Sequence, residues 1–219
     1  MGRRHGRRYE VTSREWHIEL VELPKGKKAL TNKWIFRLNQ DQHAFAPRFK
    51  SRLHIKGLGQ RKGIDFDEIF SPVVKMSSIR MVLALAQILD LEIEQIDVKI
   101  AFFHGDLEEE IYMEQPKGLV VNRKENHICK LSKILYGLKQ APRQWYLKFE
   151  SVIENQGYNK TSSDHCVFFQ KFSDDDFIIL LLYVDDMLIV GKNKSRIAVL
   201  KKELSNSFAM KDLGQQRRC

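Results

Sequence analysis

Polar and apolar positions change period several times along this chain, and the changes mark its elements. Lys33-Trp34-Ile35-Phe36-Arg37-Leu38 and Arg48-Phe49-Lys50-Ser51-Arg52-Leu53-His54-Ile55 alternate, as half-buried strands do. With the polar stretch Asn39–Gln42 in their connection, they predict a hairpin. Period two puts Lys50 and Arg52 on one face of it. Gly57, Gly59 and Gly63 punctuate the loop that follows. Ser77 is placed to cap a helix over Ser78–Asp90. That segment is apolar nearly all round, which predicts a helix buried in the core.

Further on, Ile93–Val98 reads as a short strand ending near Asp97. Ile111–Met113 and His127–Leu131 read as two more. Pro142 suits the first turn of a helix running to about Gln156, with Gly157 as its stop. Cys166–Phe169 reads as a strand before an acidic turn, Asp174-Asp175-Asp176. The runs Phe177–Leu182 and Met187–Val190 are continuous and β-rich, with Tyr183-Val184-Asp185-Asp186 between them; they predict a tight hairpin of buried strands. Ser195–Phe208 has the period of an amphipathic helix. Helices and strands intermix without regular βαβα alternation, so the expected class is α+β. No repeat or low-complexity segment interrupts the pattern.

Charge sharpens this picture. The net charge is +9, but residues 1–62 alone carry 16 Lys/Arg against 5 Asp/Glu. Residues 63–219 carry 21 against 23. A basic N-terminal part beside an acid-bearing remainder suits a polyanionic partner; a solvated basic face is the plain alternative. Residues 1–17 are Arg-rich and unpatterned, which predicts a disordered tail with no secretory signal. No apolar run reaches the ~18 residues that a membrane helix needs, so no membrane partner is expected. Cys129, Cys166 and Cys219 are odd in number and far apart. They predict neither a zinc site nor a disulfide framework, and a reducing compartment is the simpler expectation.

The candidate chemistry lies in the acids. Asp185 and Asp186 at a turn between buried strands need water, a cation or a metal, because an unpaired buried carboxylate is costly. An acidic turn of ordinary kind is the bland reading, since Asp is a common turn residue. Two acids on a rigid turn plus a third on a neighbouring strand form a natural two-metal site for phosphoryl transfer. Asp97, closing its hydrophobic strand, is the best third candidate. His104 reads as a loop histidine and takes no role.

Several blocks, in order, resemble the reverse transcriptase of copia-type (pseudovirus) LTR retrotransposons, a domain of their Pol polyprotein. Gln95-Ile96-Asp97-Val98-Lys99-Ile100-Ala101-Phe102-Phe103-His104-Gly105-Asp106-Leu107 is similar to the family's first polymerase motif. Asn32–Phe36 and Arg48–Leu53 look like its fingers, and Gly63–Met76 like its linker into the palm. Leu135-Tyr136-Gly137-Leu138-Lys139-Gln140-Ala141-Pro142-Arg143 looks like its template and nucleotide loop. Met210-Lys211-Asp212-Leu213-Gly214 is similar to the block after the palm. The resemblance covers roughly Glu19 to Gly214. It implies a basic tail over 1–18, a polymerase domain over 19–214 and an unrelated tail over 215–219. Within the domain, fingers would take about 19–76 and a ferredoxin-like palm with a YVDD hairpin about 77–214. The thumb would be absent, as in a truncated fragment.

Carried over by position, the resemblance implies that Asp97, Asp185 and Asp186 hold two Mg2+ ions, with Mn2+ as a substitute, for RNA-directed DNA synthesis. Lys50 and Arg52 would reach the incoming triphosphate. Phe102 would stand under the sugar and exclude a 2′-hydroxyl. Gly137 would let the backbone approach nucleotide or template, with Tyr136 and Gln140 beside it. Implied partners are an RNA or DNA template-primer and dNTPs, and, in an intact element, the RNase H and integrase regions of the parent polyprotein. The alternative is a catalytically dead relic or a non-enzymatic nucleic-acid-binding module. Two positions depart from the family: Ile100 stands where Asn or Thr is common, and Phe103 where Leu is usual. A buried Ile there is expected to loosen the strand that carries Asp97.

Overall fold

The computed structural model describes residues 18–39, 48–173 and 175–215. The N-terminal tail, most of the Asn39–Gln42 segment, Asp174 and Cys219 therefore lie outside the described residues. The strands are β1 (Ile18–Val21), β2 (Ala29–Leu30), β3 (Asn32–Asn39), β4 (Arg48–Ile55), β5 (Glu92–Val98), β6 (Tyr112–Met113), β7 (Ile128–Leu131), β8 (Asn159–Lys160), β9 (Val167–Lys171), β10 (Phe177–Tyr183), β11 (Asp186–Gly191) and β12 (Met210–Gln215). The helices are α1 (Met76–Ile88), α2 (Ala141–Asn155) and α3 (Lys194–Ser207). Short 3-10 turns occur at Gly57–Gly59 and Ala101–His104. Three helices with sheets that are antiparallel but for the β2–β6 pair make an α+β chain among the described residues.

The chain forms two compact units, one from residues up to 65 and 107–138, the other from 66–106 and 139 onward. In the first unit β3 and β4 pair antiparallel from Asn32↔Ile55 to Asn39↔Arg48, as the alternation predicts. A second sheet there has the order β1-β7-β6-β2. Met113, Cys129 and Leu131 of this sheet are buried, as are Ile134 and Leu135 just after β7.

The second unit is built on one sheet of order β12-β5-β11-β10-β9-β8. β5 and β11 pair antiparallel with Met187 opposite Ile96, and β10 and β11 pair with Met187 opposite Leu182. This register collects Ile96, Val98, Met187, Ile189, Ile178, Leu180, Leu182 and Phe168 on one face, where all are buried. α2 covers that face with Trp145, Phe149 and Ile153; the Phe149 and Phe168 rings meet edge to face at 5.6 Å between centroids. α3 adds Ile197, Leu200 and Leu204, the i, i+3, i+7 stripe of an amphipathic helix. The Asn193 side chain caps α3 by accepting from the Ser195 and Arg196 amides at 3.0 and 3.3 Å. Lys201 of α3 reaches Glu94 on the same face and Asp212 of β12.

α1 departs from expectation twice. It begins at Met76 with Lys75 as its cap residue and no side-chain cap, so Ser77 lies inside the helix. The buried carboxylate of Asp164, far away in sequence, accepts the Lys75 amide at 2.8 Å instead. Nor is α1 a core helix: only Val82 and Ala86 are buried, while Met81 is 71% and Ile88 78% exposed. A uniformly apolar sequence carries no information about which stripe is covered, and here the covered stripe is narrow.

Candidate active site

Asp97 and Asp186 are brought together by strand register. The two residues are direct partners across β5 and β11. The Val98 amide donates to the Asp185 carbonyl at 2.8 Å, so 98 and 185 form a hydrogen-bonded pair. Residues 97 and 186 are therefore the non-hydrogen-bonded kind of pair, whose side chains face each other most closely, with Cβ atoms ~4.5–5.5 Å apart. Two carboxylates at that separation can share a cation. Gln95 lies on the same face two residues before Asp97, and its amide donates to Asp186 Oδ1 at 3.2 Å. On the other side of Asp97, β12 places Lys211 opposite it. Asp97 and Asp186 are half-buried and Asp185 is exposed.

Asp185 lies in the two-residue turn that joins β10 to β11, where Tyr183 pairs with Asp186. The turn is strained: Val184 has φ 58°. A two-residue hairpin turn needs positive φ, which usually falls to Gly or Asn; for a β-branched residue it is a true outlier. The Val184 carbonyl accepts a hydrogen bond of 2.6 Å from the Trp145 indole. A second outlier follows Asp97. Ile100 is left-handed at φ 56°, ψ 46°, and leads into the 3-10 turn that carries Phe102. Ile100 is 53% exposed, so the expected buried Ile is corrected; its left-handed backbone is one that Asn enters more readily than a β-branched residue. Phe102 is partly buried against the core of this unit.

Among the described residues, no three His, Cys, Asp or Glu side chains form a ready-made metal cage. The donor set nevertheless fits Mg2+, which is usually held by one or two carboxylates and completed by water and substrate phosphates.

The remaining candidates divide between the units. Lys50 sits in β4 opposite Arg37. Arg52, two residues on, is half-buried with its guanidinium 5.9 Å from the centre of the Tyr136 ring. His54 continues that face and stacks on Tyr136 with ring centroids 5.4 Å apart. Burial first, then the charges of Arg52 and Lys33, hold the His54 imidazole below its ordinary pKa, which favours the neutral ring. A cavity of about 590 Å3 in this unit is lined by Lys28, Lys33, His54 and Lys56 among others. Gly137 has φ 96°, and a Cβ there would lie 2.1 Å from the Ile55 carbonyl oxygen. The close approach that requires glycine is thus to β4. Gln140 is fully buried in the second unit, just before α2.

Sequence reasoning missed three neighbours of the acids. Gln95 was legible, since period two sets it beside Asp97. Trp145 and Lys211 were not, because their proximity depends on long-range packing and pairing.

The family model for reverse transcriptase (RNA-dependent DNA polymerase) matches residues 15–218. The chain is 66% identical over 196 residues to the retrovirus-related Pol polyprotein from transposon TNT 1-94 of Nicotiana tabacum, an overlap of 90% of this chain and 15% of the relative. It is 39% identical over 204 residues to the corresponding polyprotein from transposon RE1 of Arabidopsis thaliana, covering 93% and 14%. To the transposon Ty1-DR5 Gag-Pol polyprotein of Saccharomyces cerevisiae it is 29% identical over 182 residues, covering 81% and 10%. The chain thus spans at most 15% of the length of these three curated relatives. Among the described residues no helix is long and apolar enough to cross a membrane.

Proposed function

The chain belongs to the reverse transcriptase (RNA-dependent DNA polymerase) family, and from that premise we propose that it carries the nucleotidyl-transfer site of a retrotransposon polymerase, with the first unit serving as fingers and the second as palm. The observation that carries the proposal is the direct pairing of Asp97 with Asp186 beside the turn that holds Asp185. In the reaction the primer 3′-hydroxyl oxygen bonds to the α-phosphorus of a dNTP. The bond to pyrophosphate breaks, and the hydroxyl proton leaves to solvent. Two bound Mg2+ ions would lower the cost of the charge that builds on the attacking and leaving oxygens. Asp97, Asp185 and Asp186 would hold those ions. Phosphoryl transfer is mainly positioning and charge neutralisation, so the protein needs no covalent nucleophile.

Lys50 and Arg52 bind the triphosphate, the Arg fork donating to two oxygens at once. Phe102 stands against the sugar. Tyr136, Gly137 and Gln140 shape the template and nucleotide loop; Gly137 does so by fixing the chain against β4 rather than by touching the nucleotide. The test is extension of a labelled primer on an RNA template with Mg2+, beside Asp97→Asn and Asp185→Asn. Extension that both variants abolish supports the reading, and extension that survives either one removes that residue from the site.

A second reading, nucleic-acid binding without synthesis, is favoured by the cavity that gathers Lys28, Lys33 and Lys56. Its mark is template-primer binding that weakens steeply with salt, because phosphate contacts release counterions, while no nucleotide is added.

A further inference from the structure

We infer that Trp145 is a positioning residue for the turn that carries Asp185, holding it through the indole N–H and linking it to the loop after Asp97. The inference rests on the reading of Asp97, Asp185 and Asp186 as metal-binding acids. Its evidence is separate from theirs.

The turn does not hold itself. Val184 occupies a backbone region that a β-branched residue enters only under constraint. Its carbonyl accepts a 2.6 Å bond from Trp145 Nε1 across a sequence distance of 39 residues. Buried indoles need such a partner, so removing either end leaves the other unsatisfied. Trp145 cannot swing away: it is 1% exposed, and the Phe208, Phe149 and His104 rings surround it at centroid distances of 5.0, 5.7 and 6.0 Å.

The same residue meets the segment after Asp97. His104 ends the 3-10 turn that begins four residues beyond Asp97. A Cβ on Gly105 would lie 3.0 Å from the Trp145 backbone nitrogen, so the loop runs directly against α2 at this point. Both acid-bearing segments therefore meet one buried residue on a rigid helix, the Asp185 turn through the indole N–H and the segment after Asp97 through the His104 ring and the helix backbone. Placement on a rigid element with locked rotamers is what a precise ligand set requires.

Trp145→Phe keeps an aromatic ring in the cage while it deletes the donor and trims the ring system. Mn2+ binding to the free protein, followed by electron paramagnetic resonance, reads the site without catalysis. We expect Mn2+ affinity to fall at least fivefold in Trp145→Phe. Where extension is measurable, kcat should fall ~10–100-fold, as for a misplacement of about an ångström, with the dNTP KM changed less than threefold. Val184→Gly removes the strain that the bond opposes. In that background Trp145→Phe should cost less than half as much in Mn2+ affinity. Asp185→Asn is the control for the parent reading: unchanged Mn2+ affinity there removes the acids from the site and this inference with them. If Asp185→Asn weakens Mn2+ but Trp145→Phe lowers only the melting temperature, the acids stand and the positioning role is overturned. Equal losses with and without Val184→Gly overturn it as well. Should Trp145→Phe fail to fold, the wild-type indole N–H resonance decides. It should lie downfield and move on Val184→Gly; an unshifted resonance refutes the bond.

Discussion

Gly137→Ala separates two reasons for a glycine at this position before α2. If Gly137 exists to let a nucleotide approach, alanine should spare stability and harm binding. The geometry predicts the reverse. The added methyl would lie 2.1 Å from the Ile55 carbonyl oxygen and 3.0 Å from the Ile55 nitrogen. Both are backbone atoms, so no side chain can rotate away. The neighbouring bond from the Ile55 amide to the Tyr136 carbonyl, 2.8 Å long, must stretch for the methyl to fit. Alanine at φ 96° also sits where L-residues are disfavoured. Overpacking, left-handed strain and one weakened hydrogen bond together amount to about 3–5 kcal/mol. The reciprocal contact gives no relief: a Cβ on Gly57 would lie 2.1 Å from the Gly137 oxygen.

For a domain of this size each kcal/mol moves the midpoint by about 2–4 °C. Scanning calorimetry should therefore find Gly137→Ala lower by roughly 6–20 °C. Melting within about 2 °C of wild type, combined with weaker dNTP binding, would refute the argument and return Gly137 to a direct nucleotide contact.

Other substitutions test separate parts of the structure. Asp164→Ala leaves the Lys75 and Cys166 amides without their 2.8 and 3.0 Å acceptors and should cost about 2–4 kcal/mol in urea unfolding. The Asp164 carboxyl is held below its ordinary pKa: burial opposes this, and hydrogen bonds from Lys75, Ser78 and Cys166 overcome it. Its contribution is therefore present above the unfolded value of 3.8 and lost as pH falls through the lower folded value, so the stability gap between wild type and Asp164→Asn should narrow below that pH. Burial pushes the Cys129 thiol up to about 11 and the Cys166 thiol to about 12, so both should resist a thiol reagent at about pH 8 until denaturant is added. Met81→Gln and Ile88→Lys, on the uncovered side of α1, should change stability by less than about 0.5 kcal/mol; a loss above about 2 kcal/mol would show that this face is packed.

Much of the second unit was legible because its strands are short, apolar and punctuated. The runs around Tyr183–Asp186 are continuously apolar on both sides of the turn and the segment ending at Asp97 is short and apolar, so the strands are legible locally. Pro142 marks the start of α2 for the same local reason. What failed was non-local. Ser77 suits a cap by its type, yet the cap-site amide is satisfied by Asp164, 89 residues away in the chain. The apolar body of α1 gives no clue to which side is covered. Ile100 stands out in the sequence, but the structure shows it exposed and in a left-handed backbone, neither of which its residue type announces.

The three acids differ in how firmly the fold holds them. Asp97 and Asp186 face each other through a register shared along β5 and β11, six successive pairs from Gly191↔Glu92 to Asp186↔Asp97. Moving one relative to the other means slipping the whole ladder, which would turn Met187 and Ile189 out of the core. Asp185 has no ladder beyond it. Its place depends on a two-residue turn whose first residue is strained, on one bond from Val98 and on the Trp145 contact at its neighbour. Small displacements of the turn therefore cost little burial but alter where the Asp185 carboxylate lies. Sequence change near the turn should act mainly through Asp185, while change in the sheet should act through stability first.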